Sequence, residues 1–209
     1  MRNFKGFILL FLLLQTVILN AQNPIIKGIQ NKFYSINNLS ADFSQSSSMK
    51  NQGGSVSIKG HLLYQKDDKY RIEFKNQQLI SNGSTFWNYN KRSNKVVIND
   101  LKNEKSAFSF KKIVQDYPAK SKVESLGQET VNGTKCNLIR LSPMKNAYEN
   151  FKSIRIWSDN DNLIRKVELI DNSGLTNVFN LSNIKINTNI PGYMFSFEPP
   201  KGSEIVDLR

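Results

Sequence analysis

The stretch GHLLYQKDDKYRIEFKNQQLISNGSTFWNYN, residues 60–90, decides the fold class of this chain. Its segment YRIEF at 70–74 alternates apolar and charged residues, which is the pattern of a strand with one buried and one solvated face. The dipeptide Asn82-Gly83 stands between two apolar runs and is typical of a tight β-hairpin turn. The stretch therefore predicts consecutive antiparallel strands joined by short turns.

The same pattern of short strand-like segments separated by turns continues towards the C-terminus. Turn signals recur at Asn132-Gly133 and at residues 172–174, and short runs rich in β-branched and aromatic residues lie between them. The later strands are expected at about 120–128, 135–141, 151–157, 162–170, 175–186 and 194–198. Together with the earlier ones, they bring the predicted sheet to about ten or eleven strands.

A first amphipathic helix precedes the strands. Asn23 suits an N-cap and Pro24 suits the first helical position. We expect a helix over 24–38 with one apolar face, formed by Ile25, Ile29, Phe33 and Ile36.

A second amphipathic helix is expected in the middle of the chain. Apolar residues recur there at helical spacing, namely Phe110, Ile113, Val114 and Tyr117. Ser106 or Ser109 would cap this helix, and Pro118 would end it.

The predicted sheet is too large to stay open and flat. Strongly twisted sheets of this size curl or close, and two amphipathic helices would bury their apolar stripes on the concave face. The pattern leaves open whether the enclosed space is a ligand cavity or a solid core.

The first 21 residues have the features of a secretory signal peptide. Arg2 and Lys5 precede an apolar run at 7–19, and Ala21 supplies the small residue expected before a cleavage site. The run is shorter than the roughly 20 residues that cross a bilayer. We expect export, cleavage after Ala21 and a single mature domain over 22–209.

The cysteine content argues against a lipid anchor on this chain. Cys136 is the single cysteine, and no cysteine stands at the end of the apolar run, where a bacterial lipid anchor would attach. Cys136 cannot form an internal disulfide, and we expect it at a half-buried strand position.

The charge is strongly basic but dispersed. The formal net charge is +12, and removing Arg2 and Lys5 leaves 27 basic against 17 acidic residues, or +10. Nucleic-acid binding would require a clustered basic stripe or a recognisable module, and the sequence contains neither. A solvated basic surface and an attraction to anionic membranes or acidic proteins both remain open.

Catalytic and metal-binding constellations are absent from the sequence. His61 is the only histidine, so a histidine-based metal cluster is excluded and a Ser/His pair would have to use this one residue. Its setting is that of an outward strand position. The string at 159–162 lacks the glycine and distal glutamate of a calcium loop and is interpreted as a turn. We expect no enzymatic activity, no metal and no cofactor.

The unusual feature is the number of aromatic and apolar residues on the predicted strands. An ordinary core explains them as well as a cavity does, and the pattern does not choose. In the cavity hypothesis the sheet lining consists of Phe43, Leu62, Tyr64, Tyr70, Ile72, Phe74, Trp87 and Tyr89. The helical lid consists of Ile29, Phe33, Phe110, Ile113 and Val114.

Four segments, spread over nearly the whole mature chain, carry a family resemblance. They are LSADFSQ at 39–45, GHLLYQK at 60–66 continuing into YRIEF, SNGSTFWNYN at 81–90 and FSFEPPKG at 195–202. In this order and spacing, the chain resembles the LolA family of periplasmic outer-membrane lipoprotein carriers.

The resemblance implies a mainly β, α+β fold, an unclosed antiparallel β-barrel with an α-helical lid. It also implies a periplasmic, monomeric carrier that binds the acyl chains of lipoproteins. Its partners would be acylated lipoproteins, an inner-membrane ABC lipoprotein-releasing transporter and, if present, an outer-membrane receptor, with no role for nucleic acid. A lipid-binding sensor or receptor of the same fold is the alternative, followed by a peptide-binding scaffold.

The chain departs from the family at one turn. The family has arginine followed by proline after the second strand, and that arginine is thought to latch the lid. Lys66 and Asp67 occupy the matching positions. Lysine offers a point charge in place of a planar fork, so Lys66 is a candidate latch that would hold the lid differently.

Overall fold

The computed structural model describes residues 23–49, 52–103, 111–144 and 151–209. Among the helices of these residues, none is long and apolar enough to cross a membrane. The first helix, α1, is Pro24–Ser35. Twelve strands follow in this part of the chain: β1 Asn38–Met49, β2 Gln52–Gln65, β3 Lys69–Phe74, β4 Gln77–Asn82, β5 Thr85–Asn90, β6 Lys95–Asp100, β7 Ser121–Val131, β8 Thr134–Pro143, β9 Phe151–Asp159, β10 Ile164–Asp171, β11 Leu175–Ile186 and β12 Glu204–Asp207.

Helix α1 begins as the sequence predicts. The Asn23 side chain accepts hydrogen bonds from the main-chain N–H groups of Ile25 and Ile26, and Pro24 follows it. The helix ends at Ser35, three residues earlier than expected. Ile36 is extended instead, because it leads the chain into β1 while its side chain stays buried.

All twelve strands form one sheet in the order β12-β6-β5-β4-β3-β2-β1-β11-β10-β9-β8-β7. Neighbouring strands are antiparallel except β12 and β6, which are parallel. The predicted hairpin turns at Asn82-Gly83, Asn132-Gly133 and 172–174 join β4 to β5, β7 to β8 and β10 to β11. Because β12 and β7 are the two ends of the order, the sheet is an unclosed barrel, as expected.

The sheet has an inner face, which α1 covers, and an outer face. Two hydrophobic clusters occupy the inner face. The lid cluster lies under α1 and comprises Ile26, Ile29, Val114, Ile139, Leu141, Phe151, Ile154, Ile156 and Val167. The hairpin cluster lies on the β1–β5 half of the sheet and comprises Ile36, Leu39, Ala41, Leu62, Tyr64, Tyr70, Ile72 and Phe86.

The mid-chain helix is short and unevenly wound. A π-helical turn at Lys112–Asp116 continues into one α-helical turn at Tyr117–Ala119, and residues 112–119 are called the mid-chain helix below. Pro118 does not end it, since the helix runs one residue further, to Ala119. As a proline, it lacks the N–H that an α-helix would direct at the Val114 carbonyl four residues earlier. Phe110, Ser106 and Ser109 lie outside the described residues.

The expected strand at 194–198 is wrong. Residues Gly192–Phe195 form a 3-10 turn after Pro191 instead, and the Phe195 side chain is buried. Pro199 and Pro200 lack the N–H groups that a strand ladder requires. The last strand is β12, which pairs in parallel with β6 through Glu204↔Lys95 and the next three pairs.

Two smaller predictions have clear outcomes. Cys136 lies on β8 but is fully buried rather than half-buried, and this burial raises the pKa of its thiol. Residues 159–162 form a turn, as expected. The Asp159 carboxylate stabilises it by accepting hydrogen bonds from the N–H groups of Asp161 and Leu163 and from Arg165 Nε at 2.6 Å.

Candidate functional site

A cleft opens where the C-terminal half of α1 crosses the inner face, and it is called the seam cleft here. It lies between the lid cluster and the hairpin cluster. Its walls come from α1, the mid-chain helix, β1, the β9–β10 turn, β10 and β11. The residues that line it are Ile29, Lys32, Phe33, Ile36, Leu39, Val114, Asn162, Leu163, Ile164, Leu181 and Ile184.

Phe33 connects the two clusters at the roof of this cleft. Its ring packs against residues of both, and its centroid lies 5.9 Å from that of Tyr64. The two apolar regions are therefore joined chiefly through a helical residue that sits above the sheet. Displacement of α1 would merge the seam cleft with the surfaces on either side.

The seam cleft is small in this conformation. It contains about 50 Å³ of free space, whereas a cavity of about 150 Å³ is needed to hold benzene. An acyl chain is much larger than benzene. Entry of such a ligand therefore requires the lid helices to move away from the sheet.

Six of the eight sheet residues predicted to line a cavity come together. Leu62, Tyr64, Tyr70 and Ile72 are buried members of the hairpin cluster, and Phe43 and Phe74 are partly buried against it. They do not border the free space itself. They continue the apolar floor beyond Leu39, which pairs directly with Tyr64.

Trp87 and Tyr89 do not belong with these six, and their predicted cavity position is wrong. Tyr70 pairs with Ser81, and Ser81 pairs with Phe86, so these three side chains share the inner face. Successive strand residues point to opposite faces. Trp87 and Tyr89 therefore point to the outer face.

The outer face at this point is covered by the C-terminal segment. Tyr89, Val96 and Ile98 form an outer cluster, against which Trp87 and Phe197 pack. The rings of Tyr89 and Phe197 have centroids 5.3 Å apart. Aromatic residues on both faces of β5 thus serve two different cores.

Four of the five predicted lid residues are described, and they lie over the inner face of the sheet. Ile29, Phe33 and Val114 line the seam cleft, and Ile113 packs against the lid cluster. Phe110, the fifth predicted lid residue, lies outside the described residues. The two helices are tied together by Gln30, whose side-chain amide donates to the main-chain carbonyl of Val114 at 3.0 Å.

Helix α1 also approaches the sheet closely at Gly28. A Cβ atom at this position would lie 2.9 Å from Asn162 Cγ, in the turn between β9 and β10. Any larger residue would have to push the Asn162 side chain aside. The glycine therefore lets the lid lie directly on this turn.

Sequence reasoning missed much of the cleft wall. The missed residues include Ile36 and Leu39 and, from the later strands, Leu163, Ile164, Leu181 and Ile184. Their apolar spacing within the predicted strands at 162–170 and 175–186 was a usable signal. The predicted sheet lining consists mainly of aromatic residues, whereas these wall residues are aliphatic.

The turn that carries the candidate latch is solvent-exposed. The Lys66 N–H donates to the Asn37 carbonyl at 2.9 Å, just after α1, while its ammonium makes no ion pair or hydrogen bond within the described residues. Close by, burial and then the carboxylates of Asp68 and Asp67 raise the pKa of Tyr64 to about 12. The role of Lys66 as a latch stays a prediction.

His61 takes part in a surface network on the outer face. Its Nε2 lies 3.1 Å from Ser40 Oγ and its Nδ1 lies 2.8 Å from Asp42 Oδ1, while Asn183 Nδ2 donates to the other Asp42 oxygen at 2.7 Å. The hydrogen bonds from Asn183 and His61 hold the pKa of Asp42 below its usual range.

The hydrogen-bonded chain of Ser40, His61 and Asp42 has the residue types of a hydrolytic triad. Its surroundings are not those of a catalytic site. Nearly half of the His61 and Asp42 side chains, 48% of each, is exposed on the sheet surface, away from the seam cleft. Catalytic triads work beside oxyanion donors in a site that excludes water. We interpret the network as a link between β1, β2 and β11. In the described part of the chain, no three metal-ligating side chains converge.

Comparison with known proteins points to one family. Residues 34–198 match the family model described as "Outer membrane lipoprotein carrier protein LolA". The outer-membrane lipoprotein carrier protein of Pasteurella multocida is 31% identical over 187 residues, which cover 87% of this chain and 86% of that protein.

Two further relatives are more distant. An uncharacterised protein of Methanocaldococcus jannaschii is 24% identical over 88% of this chain, but the chain spans only about half, 53%, of its length. The crystal structure of an uncharacterised conserved protein from Thermus thermophilus superposes with a TM-score of 0.59 at 11% identity, over 88% of this chain and 97% of that one. The latter similarity concerns the fold alone.

Proposed function

Because this chain belongs to the family of the outer membrane lipoprotein carrier protein LolA, we propose that it binds acylated lipoproteins and carries them between membranes. Their acyl chains enter at the seam cleft and spread between the lid helices and the inner face of the sheet. The observation that supports this most directly is the apolar cleft beneath α1, which separates two hydrophobic clusters and is roofed by Phe33.

The free energy of lipid binding depends on a competition between the acyl chain and the side chains of the lid helices for the same apolar surface. Burying a methylene contributes roughly 0.8 kcal/mol, so a chain of about 15 methylenes gains on the order of 12 kcal/mol. Displacing Ile26, Ile29, Phe33 and Val114 from the sheet costs about 1.5–3 kcal/mol for each side chain, or on the order of 6–12 kcal/mol.

These two terms are of similar size. The first acyl chain therefore replaces the lid with little net gain, and the net affinity of the carrier stays far below the gross burial energy. A carrier needs this property, because it must release its cargo to an acceptor. The lid is thus an internal competitor of the lipid, and both occupy the same apolar surface.

The proposed cycle follows from the family and from the N-terminal segment. The exported chain would act in the periplasm, receive lipoproteins from an inner-membrane ABC transporter and deliver them to the outer membrane, with a receptor where one exists. No catalytic step is part of this cycle. The direct test is to isolate the protein from periplasmic extract and identify the bound species by mass spectrometry, with a triacylated lipoprotein expected.

A reversible crosslink tests whether the lid must open. In the double variant Gly28→Cys/Asn162→Cys, the two side chains are close enough for a disulfide, because a Cβ at position 28 lies 2.9 Å from Cγ of residue 162. Cys136 is buried and does not compete. The oxidised variant should fail to take up a fluorescent triacylated peptide, and reduction should restore uptake.

The single variant Gly28→Cys is the control, since it has the same helix substitution without a partner thiol. It should take up the peptide under both redox conditions. Uptake by the oxidised double variant at the rate of the reduced form would refute an opening lid.

A charge on the lid provides a second test, with a control on the same helix. Phe33→Asp places a carboxylate at the cleft roof and should lower acyl-peptide affinity at least tenfold, because an unpaired charge opposes contact with the lipid. Tyr34→Asp makes the same kind of change at the next residue, whose side chain is exposed. Equal affinities of the two variants would contradict the proposed site.

A further inference from the structure

The seam cleft has a polar feature that the proposed carrier role does not use. Nine of its eleven lining residues are apolar, and the two exceptions are Lys32 and Asn162. Lys32 lies in the last turn of α1, and Asn162 lies in the β9–β10 turn. The cleft therefore offers a cation and an amide beside an apolar interior.

Neither polar side chain is engaged elsewhere in the described part of the protein. The Lys32 ammonium has no ion pair or hydrogen bond there, and neither does the Asn162 side-chain amide. Lys32 is half-buried as a residue, and an anionic ligand in the cleft would supply the counter-charge that its ammonium lacks in the described part of the protein.

The lysine stem alone does not explain this arrangement. A lysine can cover apolar surface with its methylenes and leave its head in water. Here the second donor, Asn162, borders the same cleft, and binding pockets for amphiphiles combine an apolar interior with a few polar groups that fix the head. An acyl chain that entered this cleft would bring its head group to these two side chains.

We propose that the seam cleft binds single-chain anionic lipids, free long-chain fatty acids in particular, with Lys32 holding the carboxylate and Asn162 donating a second hydrogen bond. This inference rests on the proposed function, because it requires that acyl chains enter the cleft. It adds a ligand class and a head-group contact. Lys32 acts as a binding residue for the carboxylate in this scheme.

The test compares three ligands of equal chain length on the delipidated mature protein. They are palmitate, hexadecanol and palmitoyl lysophosphatidylglycerol, each measured by displacement of a fluorescent acyl probe. Palmitate should bind at least about tenfold more tightly than hexadecanol, since a hydrogen bond to a charged group is stronger than one to a neutral hydroxyl. The lysolipid separates a phosphate head from a carboxylate head.

Two lysines of α1 give a matched pair of variants. Lys32→Gln should lower palmitate affinity about tenfold and leave hexadecanol affinity unchanged. Lys27→Gln removes the same charge from the exposed side of the helix and should change neither. A lysolipid that alone responds to Lys32→Gln would overturn the assignment to carboxylates.

The outcomes separate this inference from the carrier role. If palmitate and hexadecanol bind equally, or if Lys27→Gln weakens palmitate binding as much as Lys32→Gln does, the head-group contact is wrong. Uptake of the triacylated peptide would then still support the carrier. If neither lipid nor triacylated peptide displaces the probe, the proposed function itself fails.

Discussion

The side-chain amide of Gln30 donates a hydrogen bond to the main-chain carbonyl of Val114, 3.0 Å away and 84 residues later in the sequence. This bond joins α1 to the mid-chain helix at the point where the latter is wound as a π-helix. Pro118 has no N–H to pair with this carbonyl in the α-helical pattern, and Gln30 donates to it. The two lid helices are thereby coupled into one unit.

Gln30→Met should uncouple the lid helices. The substitution keeps the length of the side chain but removes the donor, which costs about 0.5–1.5 kcal/mol of unfolding free energy. Amide hydrogen exchange should increase in residues 112–119 more than in the strands beneath them. Unchanged exchange in the mid-chain helix would contradict the coupling.

Gly60→Ala should destabilise the inner face. A Cβ at Gly60 would meet the Glu73 carbonyl and would lie 2.6 Å from the ring of Phe43, so the strand or the ring has to move. Overpacking of this kind costs about 1–3 kcal/mol. The measurement is the free energy of unfolding in urea.

Gly192→Ala is the matched control for Gly60→Ala. Its added methyl group meets no atom within 4 Å, and the position has no positive φ angle. Its effect should stay within about 0.5 kcal/mol. An equal loss in both variants would mean that Phe43 does not lie across Gly60.

Substitutions at Trp87 and Leu181 should affect different properties, the first the stability of the fold and the second the affinity for an acyl peptide. Trp87→Ala removes an outer-face ring and should cost about 3 kcal/mol of stability, with little effect on acyl-peptide affinity. Leu181→Asp places a carboxylate in the seam cleft and should lower that affinity at least tenfold. A large affinity loss in folded Trp87→Ala would contradict its placement on the outer face.

The case of Trp87 shows what sequence reasoning could reach in this fold. The hairpins, both helices and the open sheet were predictable, because YRIEF alternates cleanly and Asn-Gly turns fix local pairing. The segment FWNY at 86–89 does not alternate in this way. Its aromatic side chains are buried on both faces, since the C-terminal segment covers the outer one.

Other features were unpredictable because they depend on distant parts of the chain. The pairing of β12 with β6 joins residues about a hundred positions apart, and parallel pairing carries no turn signal. Lys32 is likewise one of two lysines in α1, with Lys27, and the sequence does not distinguish them. Only the position of α1 relative to β10 and β11 brings it to the cleft.

Tyr64 should make stability depend on pH at the alkaline end. Burial and the nearby Asp68 and Asp67 raise its pKa from the ordinary 10 to about 12, so the folded state holds the phenolic proton more tightly than the unfolded state. This contribution is complete below pH 10 and is lost as the pH rises to about 12.

The comparison is between wild type and Tyr64→Phe, with the unfolding free energy measured at intervals from pH 9 to 12. The lysines and the other tyrosines titrate in both proteins. The slopes of unfolding free energy against pH therefore differ only by the contribution of Tyr64. Wild type should lose stability more steeply than Tyr64→Phe. Parallel slopes would show that Tyr64 is as accessible to water as an unfolded tyrosine.

Asp67→Pro should be poorly tolerated, although the family resemblance implies a proline at this position. Asp67 and Asp68 adopt φ angles of 67° and 55°, in the left-handed region, whereas proline fixes φ near −65°. The β2–β3 turn would have to refold, and we expect a loss of about 3 kcal/mol in unfolding free energy. Asp67→Gly is the control, because glycine accepts a positive φ at little cost.

If proline is tolerated as well as glycine, the turn resembles that of the family, and Lys66 can then occupy the position of the arginine latch. If it is not, the turn presents Lys66 differently, and the proposed latch would require other contacts, for which the bond between Gln30 and Val114 is a candidate.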